Sequence, residues 1–440
     1  MDFSSDGGVD RISDLPDHIL CHILSFLPTK CAVASSILST RWRYLWTSVP
    51  VVDIDTRKHQ EFYPILNINV NRRSEVTFQN FLSRVLLLNG TPHMQKLRLI
   101  YDCRHNAGTL LRTWFLVAIT HNIQELELDL FSSVRSEFVK LPRKLFTSNS
   151  LVVLKLSRMP LGVPSLVRLP RLKILELRRI TYLNDQCIQN LLSGCQVLED
   201  LAIEETAREK PWVVHLVIPT LKSFSFSYRF VIDIMIDCPY RFVINAPSLK
   251  YFHIKGRISD DFVMRSLATV TSARLDLRRT GVLPEDYVSC HERISNLFKG
   301  VVNVKFLSLS SDIVQLLCVP HEQNLPRFPY LTNLAFGVGF DFCWIRLAIE
   351  FIKCSANLEV LTLNNKQALS RNIDEPRKAP SQPIPECMVS WLKDILIKEL
   401  YEVFKPDAIE YLVQDVNILK RLKMNCRCPI MLRTQINFTL

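Results

Sequence analysis

Beyond residue 90 one short pattern keeps returning: an apolar residue, two others, an apolar residue, one other, an apolar residue. Its clearest copies are Leu151/Leu154/Leu156, Leu172/Leu175/Leu177, Leu198/Leu201/Ile203 and Leu358/Leu361/Leu363. Others are Leu221/Phe224/Phe226, Leu249/Phe252/Ile254, Val304/Leu307/Leu309 and Leu331/Leu334/Phe336, with weaker ones centred on Leu97, Leu126 and Leu275. The eleven centres are 21 to 32 residues apart. Independent strands of a sandwich recur every 8–12 residues or so, so the step points to a solenoid of repeats of about 20–29 residues. Each repeat supplies one short strand, and stacking makes a parallel sheet on the concave side. Side chains alternate along a strand, so the paired apolar residues point inward and the residues flanking them line the concave face. The copies are uneven, and a turn Asn is mostly missing, so the expected solenoid is irregular.

The pattern stops at a segment reading as an exposed linker, residues 371–385, where Pro376, Pro380, Pro383 and Pro385 lie among Lys, Arg and Ser. Residues 386–397 then read as a strand. Asp407 is placed to cap a helix with Ile409, Leu412, Val413 and Val416 on its apolar side, and residues 417–424 lead into a last strand.

Residues 10–50 read differently, as three short helices. Asp14 is placed to cap the first, with Pro16 in its first turn, and Ile19, Leu20, Ile23, Leu24 and Leu27 recur at three- and four-residue spacing. Pro28 ends it, and Thr29 is placed to cap a second helix with Ala32, Val33, Ser36 and Ile37. A third element holds Trp42, Leu45 and Trp46 and stops at Pro50. Forty residues cannot bury both faces of three helices. The surplus apolar surface is completed by the chain's own scaffold or by a partner, and the pattern alone leaves these two open.

The runs DRISDLPDHILCHILSFLPTK (Asp10 to Lys30) and STRWRYLW (Ser39 to Trp46) resemble an F-box. The resemblance implies binding of a Skp-type adaptor, and through it a cullin, in a ubiquitin ligase. It implies contacts at Leu15, Pro16, Ile19, Leu20, Ile23, Leu27 and Pro28, with Trp42 and Trp46 at the adaptor or in the module's own core. Cys31 and Val33 depart from the family pattern, where Glu and Ala are frequent. The middle repeats resemble leucine-rich repeats, and residues 380–424 resemble the FBD domain that accompanies both in plant proteins. It departs from that pattern after Ile397 and after Met424. The expected fold class is therefore α/β: a three-helix F-box (8–56), an irregular leucine-rich-repeat solenoid (90–370), a linker (371–385) and an FBD segment (386–435).

Composition excludes several alternatives. With 48% hydrophobic and 22% charged residues the chain is of folded, globular type. Only 11 glycines occur, with no GxxxxGK or GxGxxG run. No apolar run approaches bilayer length and the N-terminus lacks a secretory pattern, so an intracellular location, cytoplasmic or nuclear, is expected, without membrane contact. The 13 cysteines form no CxxC pair and read as buried thiols in a reducing compartment, with no metal or cofactor. No HExxH or GxSxG run is present. Asp53 and Asp55 form a carboxylate pair that reads as a solvated strand rather than as an acid and a base, so no catalytic residue is assigned.

The net charge of +11 arises between residues 51 and 380. The expected concave face presents seven basic and seven acidic residues, among them Glu125, Glu127, Asp129, Arg178, Glu204, Lys255, Arg274 and Arg278, and His253 stands on it too. A face tracking phosphates would be mostly basic, so a protein substrate is expected there and nucleic acid is not. Acidic residues fall early and basic ones late, which would set a substrate's basic part toward the early repeats. Three functions are compatible with the sequence: a substrate adaptor of a ubiquitin ligase, which the N-terminal resemblance favours; a repeat scaffold unconnected to ubiquitin; and a nucleic-acid binder.

Overall fold

The computed structural model describes residues 12, 14–58, 72–102, 108–131, 141–205, 212–228, 240–258, 260–265, 267–278, 287–318, 325–337, 343–364, 393–398 and 422–425. The linker at 371–385, the helix expected after Asp407 and the first residues of the strand expected from 386 lie outside these. The chain divides into two compact units, residues 1–198 and 199–440.

The first unit begins with helices α1 (Asp17–Leu24) and α2 (Thr29–Ala34), followed by 3-10 turns at Ser35–Ile37 and Trp42–Ser48. Leu20, Cys21, Leu24, Ala32, Trp42, Leu45 and Val49 close a small core, with Leu15, Trp46 and Val51 packed against it. The caps differ from expectation. The helices start directly after Pro16 and Pro28, with no side-chain cap. Each proline has no N–H to satisfy and a carbonyl that accepts the first helical bonds. The Thr29 hydroxyl is turned to other use and accepts the Asp53 N–H at 2.8 Å. This bond ties the helical module to the strand that follows, and Asn89 Nδ2, donating to Val49 O at 2.9 Å, ties it to the end of the first crossover helix.

That strand opens a parallel sheet in the order β1 (Val51–Asp55), β2 (Lys96–Asp102), β3 (Glu125–Phe131), β4 (Val153–Ser157) and β6 (Ile174–Arg178). The two-residue strands β5 (Pro160–Leu161) and β7 (Thr181–Tyr182) pair beside it. Crossovers run through α3 (Arg72–Leu88), α4 (Gly108–Thr120) and a 3-10 turn at Arg143–Thr147, and α5 (Gln186–Ser193) follows β7. The second unit carries β8 (Asp200–Glu205), β10 (Ser223–Tyr228), β12 (Tyr251–Arg257), β14 (Ser272–Arg278), β15 (Phe306–Leu309), β16 (Asn333–Gly337), β17 (Val360–Asn364), β18 (Asp394–Lys398) and β19 (Leu422–Asn425), all parallel and paired in that order. Its outer elements change along the chain. First come strands β9 (Trp212–Val217), β11 (Tyr240–Asn245) and β13 (Asp261–Arg265), which form a second parallel sheet. Helices α6 (Tyr287–Gly300), α7 (Ser311–Leu317) and α8 (Cys343–Cys354) follow.

The repeat pattern explains these sheets. Leu97, Leu126, Leu154 and Leu175 stand in register in the first unit; Leu201, Phe224, Phe252, Leu307, Leu334 and Leu361 do so in the second. All are nearly fully buried, each contributing about 1.5–3 kcal/mol relative to exposure. Where the outer layer is a strand, the space between two sheets is wider and aromatic rings fill it. Phe226 lies 4.7 Å from Phe242 and Phe242 stacks on Phe262 at 5.4 Å.

Three corrections concern the repeats. The centre of the eighth copy is Ala273, which stands opposite Phe252 and Leu307; Leu275 aligns instead with Ile254 and Leu309. The first copy is earlier than expected, at Val52 opposite Leu97. The series also continues past the proline-rich segment, through Ile395 opposite Leu361 and Leu422 opposite Ile395. One backbone device recurs at most steps: a single carbonyl before one strand accepts two consecutive N–H groups from the next. Pro50 O does so for Gln95 and Lys96, Lys222 O for Lys250 and Tyr251, and Glu359 O for Lys393 and Asp394. The strand at 394 is therefore joined in the same way as the repeats before it.

Candidate functional site

Two surfaces bear on function: the outside of the helical module and the open faces of the sheets.

On α1 the apolar residues divide into two rows. Leu20 and Leu24 face the core, and Leu20 is wholly buried. Ile19 and Ile23, four residues apart on the other side, are exposed, as is Leu27 four residues further on, past the helix end. Pro16 and Pro28 are exposed beside them. Of the seven contacts implied by the F-box resemblance, five are thus open to a partner. Leu20 and Trp42 are not: they build the core that fixes the shape of the face, and Leu15 and Trp46 are partly buried against that core. Four further residues were missed: Phe26 (74% exposed), Ile37 (86% exposed), Leu38 and Tyr44. They lie outside α1, past its end and in or beside the 3-10 turns, where no helical periodicity assigns a side. Arg41 closes the module's rim, donating to Asp17 Oδ1 at 2.7 Å and to the Leu15 carbonyl.

The sheet of the first unit carries a row of alternating charge along its open face. Asp53, Arg98, Glu127, Lys155 and Glu176 stand opposite one another on five successive strands. Arg98 donates to Asp53 at 2.8 Å, Glu127 at 3.2 Å and Asp55 at 3.4 Å. Lys155 meets Glu176 at 3.2 Å. In adjoining rows Lys96 lies between Glu125 and Glu127 at 3.8 and 4.0 Å. Arg158 grips Asp129 through two bonds of 2.6 and 2.7 Å, and Arg178 meets Glu176. Glu125, Glu127, Asp129 and Arg178, expected to await a substrate, are therefore engaged with their neighbours.

Asp53 and Asp55 are likewise not a solvated pair. The Asp55 side chain is only 4% exposed and accepts two bonds of 3.0 Å from Arg57. Burial alone would raise its pKa, but the Arg57 hydrogen bonds and the charges of Arg57 and Arg98 outweigh burial and hold it below the usual carboxylate value. A general acid at neutral pH needs the opposite shift. Burial pushes the Cys195 thiol up to about 12, which leaves it unreactive.

The open face of the second unit differs. The row beginning at Ala202 continues through Ser225, His253, Arg274, Ser308, Ala335 and Thr362. Glu204 and Lys255 lie in the next row, on either side of Ser227, with Asp276 beyond, and Arg257 stands opposite Arg278. Ser225, Ser227, Ser308 and Thr362 are interspersed with the charges, and among the described residues no ion pair joins Lys255, Arg274 or Asp276. Tyr251 is 57% exposed. Among the described residues there is no group of three or more metal-ligating side chains, and no helix is long and apolar enough to cross a membrane.

Comparison with known proteins covers both regions of the chain. The family model for the F-box domain matches residues 12–53. A model described as "FBD-associated F-box protein At5g56370, LRR repeats" matches residues 111–334. The chain is similar to an FBD-associated F-box protein of Arabidopsis thaliana, 31% identical over 88% of this chain and 92% of that one. It is also similar to an F-box/FBD/LRR-repeat protein of the same plant, at 31% over 87% and 84%, and to F-box/LRR-repeat protein 13, at 28% over 94% and 89%.

Proposed function

From the premise that this chain belongs to the plant F-box/FBD/LRR-repeat family, we propose that it is the substrate-recognition subunit of a Skp–cullin–F-box ubiquitin ligase. The F-box holds the Skp-type adaptor, the repeats hold a protein to be ubiquitinated, and residues 386–435 act as the FBD segment ending the stack. The chain itself catalyses nothing; it sets the distance between target and ligase.

The observation that carries this reading is the divided α1. Its inner row completes a core, while Ile19, Ile23 and Leu27, with Phe26, Ile37, Leu38 and Tyr44 in the same module, are left in water. Exposed apolar surface at this density in forty residues marks a protein contact. The bonds from Asp53 N–H to Thr29 and from Gln95 and Lys96 N–H to Pro50 O make the module continuous with the first repeats, so a bound adaptor would be held at fixed geometry to them.

The test separates the two rows. Ile19→Asp with Ile23→Asp is expected to abolish co-purification of the Skp-type adaptor with little change in thermal stability. Leu20→Ala is expected to cost about 2–4 kcal/mol of stability, with any loss of binding following from that. Undiminished adaptor capture by the Ile19/Ile23 variant would rule the reading out and leave a repeat scaffold unconnected to ubiquitin.

A further inference from the structure

The two sheets treat their charges in opposite ways. In the first unit Lys96, Arg98, Lys155, Arg158 and Arg178 each have a carboxylate within reach. In the second, Arg274 and Lys255 stand on neighbouring strands, and no ion pair among the described residues engages them. Lys250 and Lys305 are exposed where β12 and β15 begin, also without an ion pair among the described residues. Against Lys255 and Arg274, which stand on the face itself, the same strands set one carboxylate there, Asp276. We infer that the open face of β12, β14 and β15 receives an extended, acidic segment of the protein partner, its carboxylates taken by Arg274 and Lys255 and an apolar side chain resting on Tyr251. The inference rests on the substrate-recognition reading and deepens it.

The geometry selects the ligand class. Neighbouring strands lie about 4.8 Å apart, so cations spread from β12 to β15 do not converge on one small anion; they suit charges spaced along a chain. Ser225 and Ser308 lie in the row of Arg274 and Ser227 stands opposite Lys255, and they offer neutral hydrogen bonds to a peptide backbone. A nucleic-acid strand asks for cations in file and aromatic platforms; here Asp276 stands opposite Lys255. An acidic segment also avoids the first unit's failing as a docking surface, where a partner would have to break existing pairs and leave buried charge unmatched. The substrate's acidic part, rather than its basic part, is thus the one the repeats select.

The experiment uses the full chain and a short fluorescent peptide of alternating Glu and Leu or Tyr, followed by anisotropy at low and physiological salt. Lys255→Glu with Arg274→Glu is expected to weaken binding at least about tenfold, with far-UV circular dichroism and adaptor capture unchanged. The Ile19→Asp/Ile23→Asp variant is expected to keep full peptide binding, so failure of the adaptor reading and failure of this one are seen separately. A matched Lys peptide should not bind. The inference is overturned if the Glu peptide fails to bind at low salt or binds the double variant equally. Tighter binding of a single-stranded RNA oligonucleotide, or binding only of a phosphoserine peptide, would equally overturn it.

Discussion

Arg98 is bonded to three carboxylates from two neighbouring strands, and around it the first unit's face becomes a lattice rather than a docking surface. In-register pairs of opposite charge each contribute modestly, but a lattice restrains every member at once. Asp55, the most buried carboxylate in it, gives a pH signature. Its pKa in the folded chain lies below the unfolded value of about 3.9, so its contribution is complete above that value and is lost as pH falls through the lower, folded one. Denaturant titrations of the wild type and Asp55→Asn are expected to differ by about 2 kcal/mol from pH 7 down to 5, the gap closing below about pH 4. A gap that persists unchanged at pH 2.5 would show that the carboxylate's charge is not what stabilises. Asp53 and Asp55 were visible in the sequence as a pair, with Arg57 two residues beyond, but the partner they share was not. Arg98 is more than forty residues away, and only strand register brings it opposite.

Among the elements, the strands were legible and the crossovers less so. Period-two alternation names a strand wherever the inner residues are large, which is why Leu154/Leu156 and Phe224/Phe226 stood out. At β14 the same alternation gives Ala273, Leu275 and Leu277; the small Ala hides the start of the motif, and a reading by size alone slips by two residues. The alternation of Trp212, Val214 and Leu216 with Val213, His215 and Val217 marks an outer strand where most repeats have a helix. Close approach of elements is also unreadable locally. At the end of β16, a Cβ on Gly337 would stand 2.4 Å from the backbone N of Ser311, the first residue of α7. That helix start is itself pinned, with Ser310 donating through its N–H to Leu275 O at 2.9 Å and through its hydroxyl to Leu277 O at 2.6 Å. Gly337→Ala therefore cannot be absorbed by a rotamer change and is expected to cost about 1–3 kcal/mol, read as a lowered denaturation midpoint. No loss would mean that α7 moves freely on the sheet.

For the whole molecule, the C-terminal strands raise the question of where the repeat scaffold ends. β18 joins β17 in parallel, using the same double N–H contact as the earlier repeats, and β19 joins β18. An uncovered parallel edge is a site for aggregation, and solenoids need a terminal cap. Removing residues 386–440 strips both strands from β17. The truncated chain is expected to melt about 5 °C or more below the full one and to aggregate on concentration, followed by differential scanning calorimetry and light scattering. Equal melting and solubility would show that the stack is already closed at β17.

The sequence by itself determined the repeat, its strands and the F-box, because each rests on local spacing: a two-residue alternation, a three- to four-residue helical row, a step of 20 to 30 residues. It also located the charged residues of the open faces, since strand alternation assigns a side. Tertiary structure decided which of those charges remain available. Whether Glu127 meets a lysine, an arginine or water depends on which residue of another repeat stands opposite, and uneven repeat lengths break any fixed sequence offset between partners. The same holds on α1, where Leu20 and Ile23 are equally apolar and only the position of Trp42 and Leu45 across the module decides which is core and which is surface.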